Sequence, residues 1–489
     1  PNLIVSTKYT LGDFYSHLPL NDTLDAGDHR RIIEFQGRRE FEDYGALPND
    51  LTVLHQTALQ RFLAANPKVE GVWLWTQDGG PWRAGPMTLY LKTGFWQLYD
   101  LSAYAMGRLA WDPAAKPDEL TADWARRTFS DDPSTVAAIG QAMALSREAI
   151  TKGLYIGPYA DQKVNALGLE PPPMMWIFEW DIVSGDSATL GTIYDTSKDQ
   201  LARALSEADE AVAAAAHMRR TVEATDAATW RDPALRQHFV DTLAYEEDLL
   251  TTLRSYRAMV LRHEQWLDTG SSEARDQWAS ARDAYVVARD EHLARYAGDV
   301  DLPAYQFTAA DLGLQRADRD AGMGLLAAAM LVVIGVLLAL GTSLGQRLLR
   351  EGTLPGAAAL RALWIGVTRP WRIASAPAPR GRLDRVLVWL LPTLAVVVSR
   401  LDYTWFAAPA HLVVTLGAWL LFVLVLRLSL RGRDPWLLWA AVGGAAVLRT
   451  VILLVGLVSR GPGGYWFAFW TRPEARTVYV TIAFAAFLW

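Results

Sequence analysis

Cysteine is absent from all 489 residues of the chain. Neither a disulfide framework nor a thiolate metal site can therefore form. Lysine stops as well. Beyond residue 320 there is none, and 16 arginines face 5 acidic residues there, a balance of +11. The whole chain carries −6, so residues 1–320 carry −17. Phosphates need a basic surface, which this acidic part lacks, so no nucleic-acid partner is expected. An initiating methionine and a recognisable leader are missing too. The first apolar run, Leu3-Ile4-Val5, opens in mid-strand, and a run from Thr477 stops at Trp489, too short to cross a bilayer. The chain is accordingly expected to be a piece of a longer protein at both ends.

Long uncharged runs fill the last third. Residues 323–344 contain no charge, and similar stretches occupy 386–399, 405–426 and 435–458. A membrane-crossing helix needs ~20 apolar residues. The expectation is a multi-pass transmembrane α-helical region over residues 322–489, with about five spans, the last truncated, and the lipid bilayer as partner. Arginines orient it. Arg347, Arg350, Arg361, Arg369, Arg372, Arg380, Arg382 and Arg385 lie between the first two runs, and Arg427, Arg431 and Arg433 fall on the same side. Under the positive-inside rule that side is cytoplasmic, which puts residues 1–320 outside the cell membrane. Arg449 falls near the middle of the fourth run.

Three strand-like runs mark the start of the chain: 3–6, 31–35 and 69–75. Between the last two, Leu51, Leu54, Ala58, Leu59 and Phe62 recur at helical spacing until Asn66-Pro67 ends the pattern. Buried strands alternating with a helix are the unit of a parallel α/β fold. Polar residues gather after each strand: Lys8 and Asp13, then Arg38, Arg39 and Glu40, then Gln77 and Asp78. Active sites of (β/α)8 barrels sit at that end of the strands. The fold class expected for residues 1–112 is thus α/β, the C-terminal part of a (β/α)8 TIM barrel. An α-helical domain is expected over 113–300, offering a surface for a homodimer, and a linker over 301–321. Pro117 and Pro133 each stand at an early helical position. His217, His238, His263 and His292 have no metal-ligand spacing and are expected at the surface or at helix ends, with no metal and no cofactor.

Two carboxylates at strand ends, Asp13 and Glu40, are the types that glycoside hydrolysis requires, one carboxyl role for the leaving oxygen and another for water. Taken alone they fit a solvated loop better than a catalytic pair. The stretches IVSTKYTLGDFYSHLP, IIEFQGRREFEDYG and GRLAWDPAAKPDELTADWARRTF carry more. Over roughly residues 1–215 the chain resembles glycoside hydrolase family 67, the α-glucuronidases. The Gly107-Arg108-Leu109-Ala110-Trp111-Asp112-Pro113 run, followed by an acidic helix with Trp124, is the most specific part.

That resemblance implies roles. Lys8 matches the lysine that binds the uronate carboxylate, and Asp13 and Glu40 match the pair that activates water in an inverting hydrolysis. The family's general-acid glutamate is expected to precede residue 1. Trp75 and Asp78, at and just after the third strand, complete the expected substrate-binding set with Lys8. Trp73, Trp82 and Trp96 can serve as sugar platforms or as packing. Gly37-Arg38-Arg39 and the loop TQDGGPWRAGPMTLY depart from the family pattern. The expected activity is extracytoplasmic hydrolysis of a uronic acid glycosidic bond in a polysaccharide or oligosaccharide. The alternative is a non-catalytic carbohydrate-binding or sensing membrane protein with a degenerate barrel.

Overall fold

The computed structural model describes residues 3–10, 20, 21, 23, 29–37, 42, 47–75, 96–161, 188–308, 357–376, 378, 379, 381–399 and 436–459, with scattered positions between 310 and 332 and between 413 and 428. Two compact units divide the chain. The first comprises Pro1–Trp180, Ile193–His263 and Arg275–Leu314, and the second Asp181–Thr192, Glu264–Ala274 and Gln315–Trp489.

In the first unit, β1 (Ile4–Lys8), β2 (Arg30–Gln36) and β3 (Val69–Trp75) pair in parallel in that order. Residues of one parity, Ile33 and Phe35, are fully buried with Tyr9 against Ala58, Leu59 and Phe62 of α1 (Thr52–Ala65) and Ala105, Met106 and Leu109 of α2 (Trp96–Trp111). The Tyr9 and Phe35 rings stack at 5.0 Å. The other parity, Ser6, Lys8, Glu34 and Trp73, faces away from this core and keeps some exposure.

Helices make up most of the remaining chain. Proline at the first position and Asp118 and Glu119 in the first turn open α3 (Pro117–Thr128). For α4 (Pro133–Leu154), Asp132 is the N-cap, its Oδ1 accepting from Thr135 N at 2.8 Å. Short α5 (Gly157–Ala160) and α6 (Ala188–Ser197) precede the alanine-rich α7 (Leu201–Glu223), which packs along α4. Gly153 of α4 brings its backbone close to the later segment that carries Leu250, since a β-carbon there would lie 2.5 Å from Leu250 Cδ2 and 3.4 Å from Ala211 Cβ of α7. Long helices α8 (Pro233–Thr269) and α9 (Ser272–Arg295) come next. In the second unit α10 (Ala357–Thr368), α11 (Arg382–Ser399) and α12 (Trp436–Ser459) bury Ala359, Ala362, Val388, Trp436 and Ala440. Gly443 of α12 meets Pro392 of α11, where a β-carbon would come within 2.6 Å of the proline Cβ.

Three expectations are corrected here. The first is the barrel: the sheet has three strands, no further strand is present among the described residues, and the protein is mostly helical. Strand–helix–strand with polar strand ends is common to every parallel α/β unit, and closure depends on neighbours that local sequence does not encode.

The second is the multi-pass membrane region. Among the described residues no helix is long and apolar enough to cross a membrane. Helix α11 has 18 residues and opens with Arg382, Asp384 and Arg385, which shortens its apolar stretch below the ~20 that a span requires. Arg449 places a charge within the apolar sequence of α12. The runs at 323–344 and 405–426, and the one from Thr477, lie wholly or largely outside the described residues.

Thirdly, His263 and His292 are buried rather than superficial. The Nε2 of His292 accepts from Tyr305 N at 3.0 Å, which leaves its proton on Nδ1, donated to Asp248 Oδ2 at 2.8 Å.

Candidate functional site

The strand ends bring two of the expected residues together. Lys8 closes β1 in register with Glu34 of β2, and its backbone oxygen accepts from Asn21 Nδ2 at 3.1 Å as the chain turns back. The Lys8 ammonium lies 5.9 Å from the centroid of the Trp75 ring, within cation–π range. It also lies 3.6 Å from Glu34 Oε1, with the side chains 42% and 15% exposed respectively. That separation is longer than a hydrogen bond, so the two groups form an ion pair without a tight donor–acceptor contact.

The register extends across the sheet: Glu34 pairs with Trp73 and Gln36 with Trp75. Trp73 is tied to β1 by its Nε1, which donates to Ser6 Oγ at 2.9 Å. Gln36 is fully buried, and among the described residues neither its Oε1 nor its Nε2 has a hydrogen-bond partner. Of the other expected site residues, Asp13, Glu40 and Asp78 lie outside the described residues, as does Trp82.

Sequence reasoning passed over Glu34. The signal was present in RRIIEFQ: Ile33 and Phe35 alternate into the core, so Glu34 must share the face of Lys8 once the strands pair in register. Also missed was a buried constellation behind the sheet. Glu42 accepts from Arg147, Asn49 and Tyr155, and its side chain is 0% exposed. A cavity of about 880 Å³ lies among α1, α3 and α4, lined by Asp50, Asp118, Arg61, Gln141 and Arg147 among others. Burial pushes the Asp50 carboxyl up, against hydrogen bonds from Thr52 and Thr121 that pull it down, while nearby Asp118 adds to the rise. Lys8, Glu34 and Trp75 do not line this cavity, and the strand-end cluster holds the groups suited to an anionic sugar.

Residues 96–164 match the family model described as the C-terminus of glycosyl hydrolase family 67. The match opens at the first residue of α2 and covers α2 to α5, of which α2 and α3 contribute Ala105, Met106, Leu109 and Leu120 to the core beneath the sheet. It includes the Gly107–Pro113 run and Trp124, which is buried with its ring edge-on to Phe129 at 5.1 Å. It supports a glycoside hydrolase at the level of the family. No curated protein matches the chain.

Proposed function

We propose that this protein is an α-glucuronidase-like glycoside hydrolase that cleaves a uronic acid glycosidic bond with inversion. One observation carries the reading: the Lys8 ammonium stands at a strand end over the Trp75 ring. An ammonium is a point charge suited to a carboxylate, and a flat apolar ring is suited to the face of a sugar. The helices that match the family lie in the same compact unit as this pair.

In this reading Lys8 pairs with the uronate carboxylate, Trp75 stacks on the ring and Asp78 accepts from a hydroxyl. Asp13 and Glu40 take the proton of a water as it attacks the anomeric carbon. The leaving oxygen departs on the opposite face with a proton from a general acid, and no covalent intermediate forms. The Lys8–Trp75 pair by itself also suits a non-catalytic sugar binder, so the test separates the two.

In the full-length protein, Asp13→Asn and Glu40→Gln should each lower kcat on a glucuronic acid-containing oligosaccharide by about 10²-fold or more, the scale of general-base loss. Near-normal turnover in both variants sinks the catalytic assignment. Lys8→Ala should weaken glucuronate by about 10- to 100-fold while leaving glucose little changed. Glucuronate binding without turnover in the unmodified full-length protein supports the binder, and equal losses for the two sugars remove the uronate reading altogether.

A further inference from the structure

Glu34 is an unexpected neighbour for a lysine that receives an anion. It lies directly opposite Lys8 in a parallel register, with Tyr9 N donating to Glu34 O at 3.0 Å, so the backbone fixes the two side chains together. Its carboxylate is mostly buried, yet it approaches the ammonium only to 3.6 Å. Lys152, on the surface, reaches hydrogen-bond length to Glu148 and Glu210 at 2.5 and 2.6 Å. At the strand end, by contrast, the half-exposed ammonium is drawn between Glu34 and the Trp75 ring.

We infer that Glu34 is a specificity-determining residue, a resident carboxylate that competes with the ligand's carboxylate for Lys8. The inference rests on the reading that Lys8 takes a carboxylate. A uronate on Lys8 brings a second negative charge within a few ångströms of Glu34, whose side chain is only 15% exposed, so that repulsion is incompletely screened. A neutral sugar carries no such charge. Glu34 therefore lowers the selectivity that Lys8 alone would confer, which speeds release of an acidic product. Trp73, in register on the far side of Glu34 and tied to Ser6, limits the carboxylate's freedom to swing away along the sheet.

The measured quantity is the ratio of glucuronate to glucose affinity, by calorimetry on the full chain. Glu34→Gln keeps the shape and removes the charge, and should raise that ratio by about 5- to 10-fold. Glu34→Asp keeps the charge and should leave the ratio near its original value. Should Glu34→Gln fold poorly, Glu34→Thr removes the same charge with a residue that suits a strand, and the same rise is expected. A ratio that stays constant or falls in the neutral variants, while Lys8→Ala still lowers it, overturns the role of Glu34 and leaves the uronate reading standing. A ratio unmoved by Lys8→Ala overturns the uronate reading itself, and this inference with it.

Discussion

Arg147 grips Glu42 through both ends of its guanidinium, Nη1 at 2.7 Å from Oε2 and Nη2 at 3.2 Å from Oε1. Asn49 closes the arrangement, donating through Nδ2 to Glu42 Oε2 at 2.9 Å and accepting from Arg147 Nη1 at 3.0 Å. The Tyr155 hydroxyl donates to Glu42 Oε1 at 2.7 Å. Helix α4, inside the stretch that matches the hydrolase family, is thereby bolted to the chain six residues beyond the end of β2. A carboxylate so deeply buried is tolerated only while it is paired. Arg147→Met is expected to destabilise the protein by about 3–5 kcal/mol, because it strands the Glu42 charge. The double variant Glu42→Leu/Arg147→Met should lose much less, since no charge is left buried. Urea unfolding of the three proteins gives the comparison, and a double variant as weak as Arg147→Met alone refutes the charge-pair account.

A second buried cation holds the helices of the first unit together. Arg257 of α8 is fully enclosed, and its Nη2 donates to the oxygens of Lys152, Gly153 and Tyr155 at 2.7, 2.8 and 2.8 Å, while Nη1 donates to Ala204 O at 3.1 Å. Those of Lys152, Gly153 and Tyr155 lie at the end of α4, where a helix terminus leaves carbonyls without intrahelical donors, and Ala204 lies in the first turn of α7. Burial lowers the guanidinium to about 10, with the charges of Glu207 and Asp209 acting in the opposite sense. Even so lowered, it remains charged at neutral pH. Arg257→Met should cost about 3 kcal/mol or more by orphaning these carbonyls. Arg257→Lys should be nearly as damaging, because an ammonium has three donors on a single atom and cannot span the same fork. Thermal unfolding that ranks lysine close to the native residue would contradict this.

Asp50 supplies a pH-dependent prediction. Its Oδ1 accepts from Thr52 N at 2.9 Å and its Oδ2 from Thr121 Oγ1 at 3.1 Å, while its own N–H donates to Ser146 Oγ at 2.9 Å. Desolvation outweighs these hydrogen bonds and raises the carboxyl above its ordinary range. The folded state therefore binds this proton more tightly than the unfolded chain does. The resulting stability is fully present below the ordinary carboxyl value of about 4 and is lost as pH rises through the folded-state value. Asp50→Asn lacks that titration. Its stability relative to the native protein should increase as pH is raised from about 4 toward neutrality. Urea midpoints across that interval read the trend, and a relative stability that falls with pH contradicts it.

Much of the local structure was legible in the sequence. The apolar runs at 31–35 and 69–75 marked strands, and Asn66-Pro67 marked the end of α1. Pro117 and Pro133 marked the starts of α3 and α4. Each of these signals lies within a few residues of the element it governs, because φ limits, missing N–H groups and capping bonds act between chain neighbours.

Other features were decided by tertiary structure. Nothing near Lys8 in the sequence says that Glu34, 26 positions on, stands opposite it, because that depends on which strand pairs and in which register. The burial of Arg257 and His292 was equally hidden, since each lies in a long helix and its partners come from other segments. Apolar runs near residues 386–399 and 435–458 read alike for membrane spans and for helices that pack on one another, and it is the close approach of Gly443 to Pro392 and the shared core of Val388, Trp436 and Ala440 that shows what those faces cover. Closure of a sheet is likewise a property of its edges, where hydrogen-bonding partners come from elsewhere in the chain. The sequence by itself determined strands and helices, while the tertiary structure alone decided that, among the described residues, β1, β2 and β3 form a three-stranded sheet with β2 at its centre.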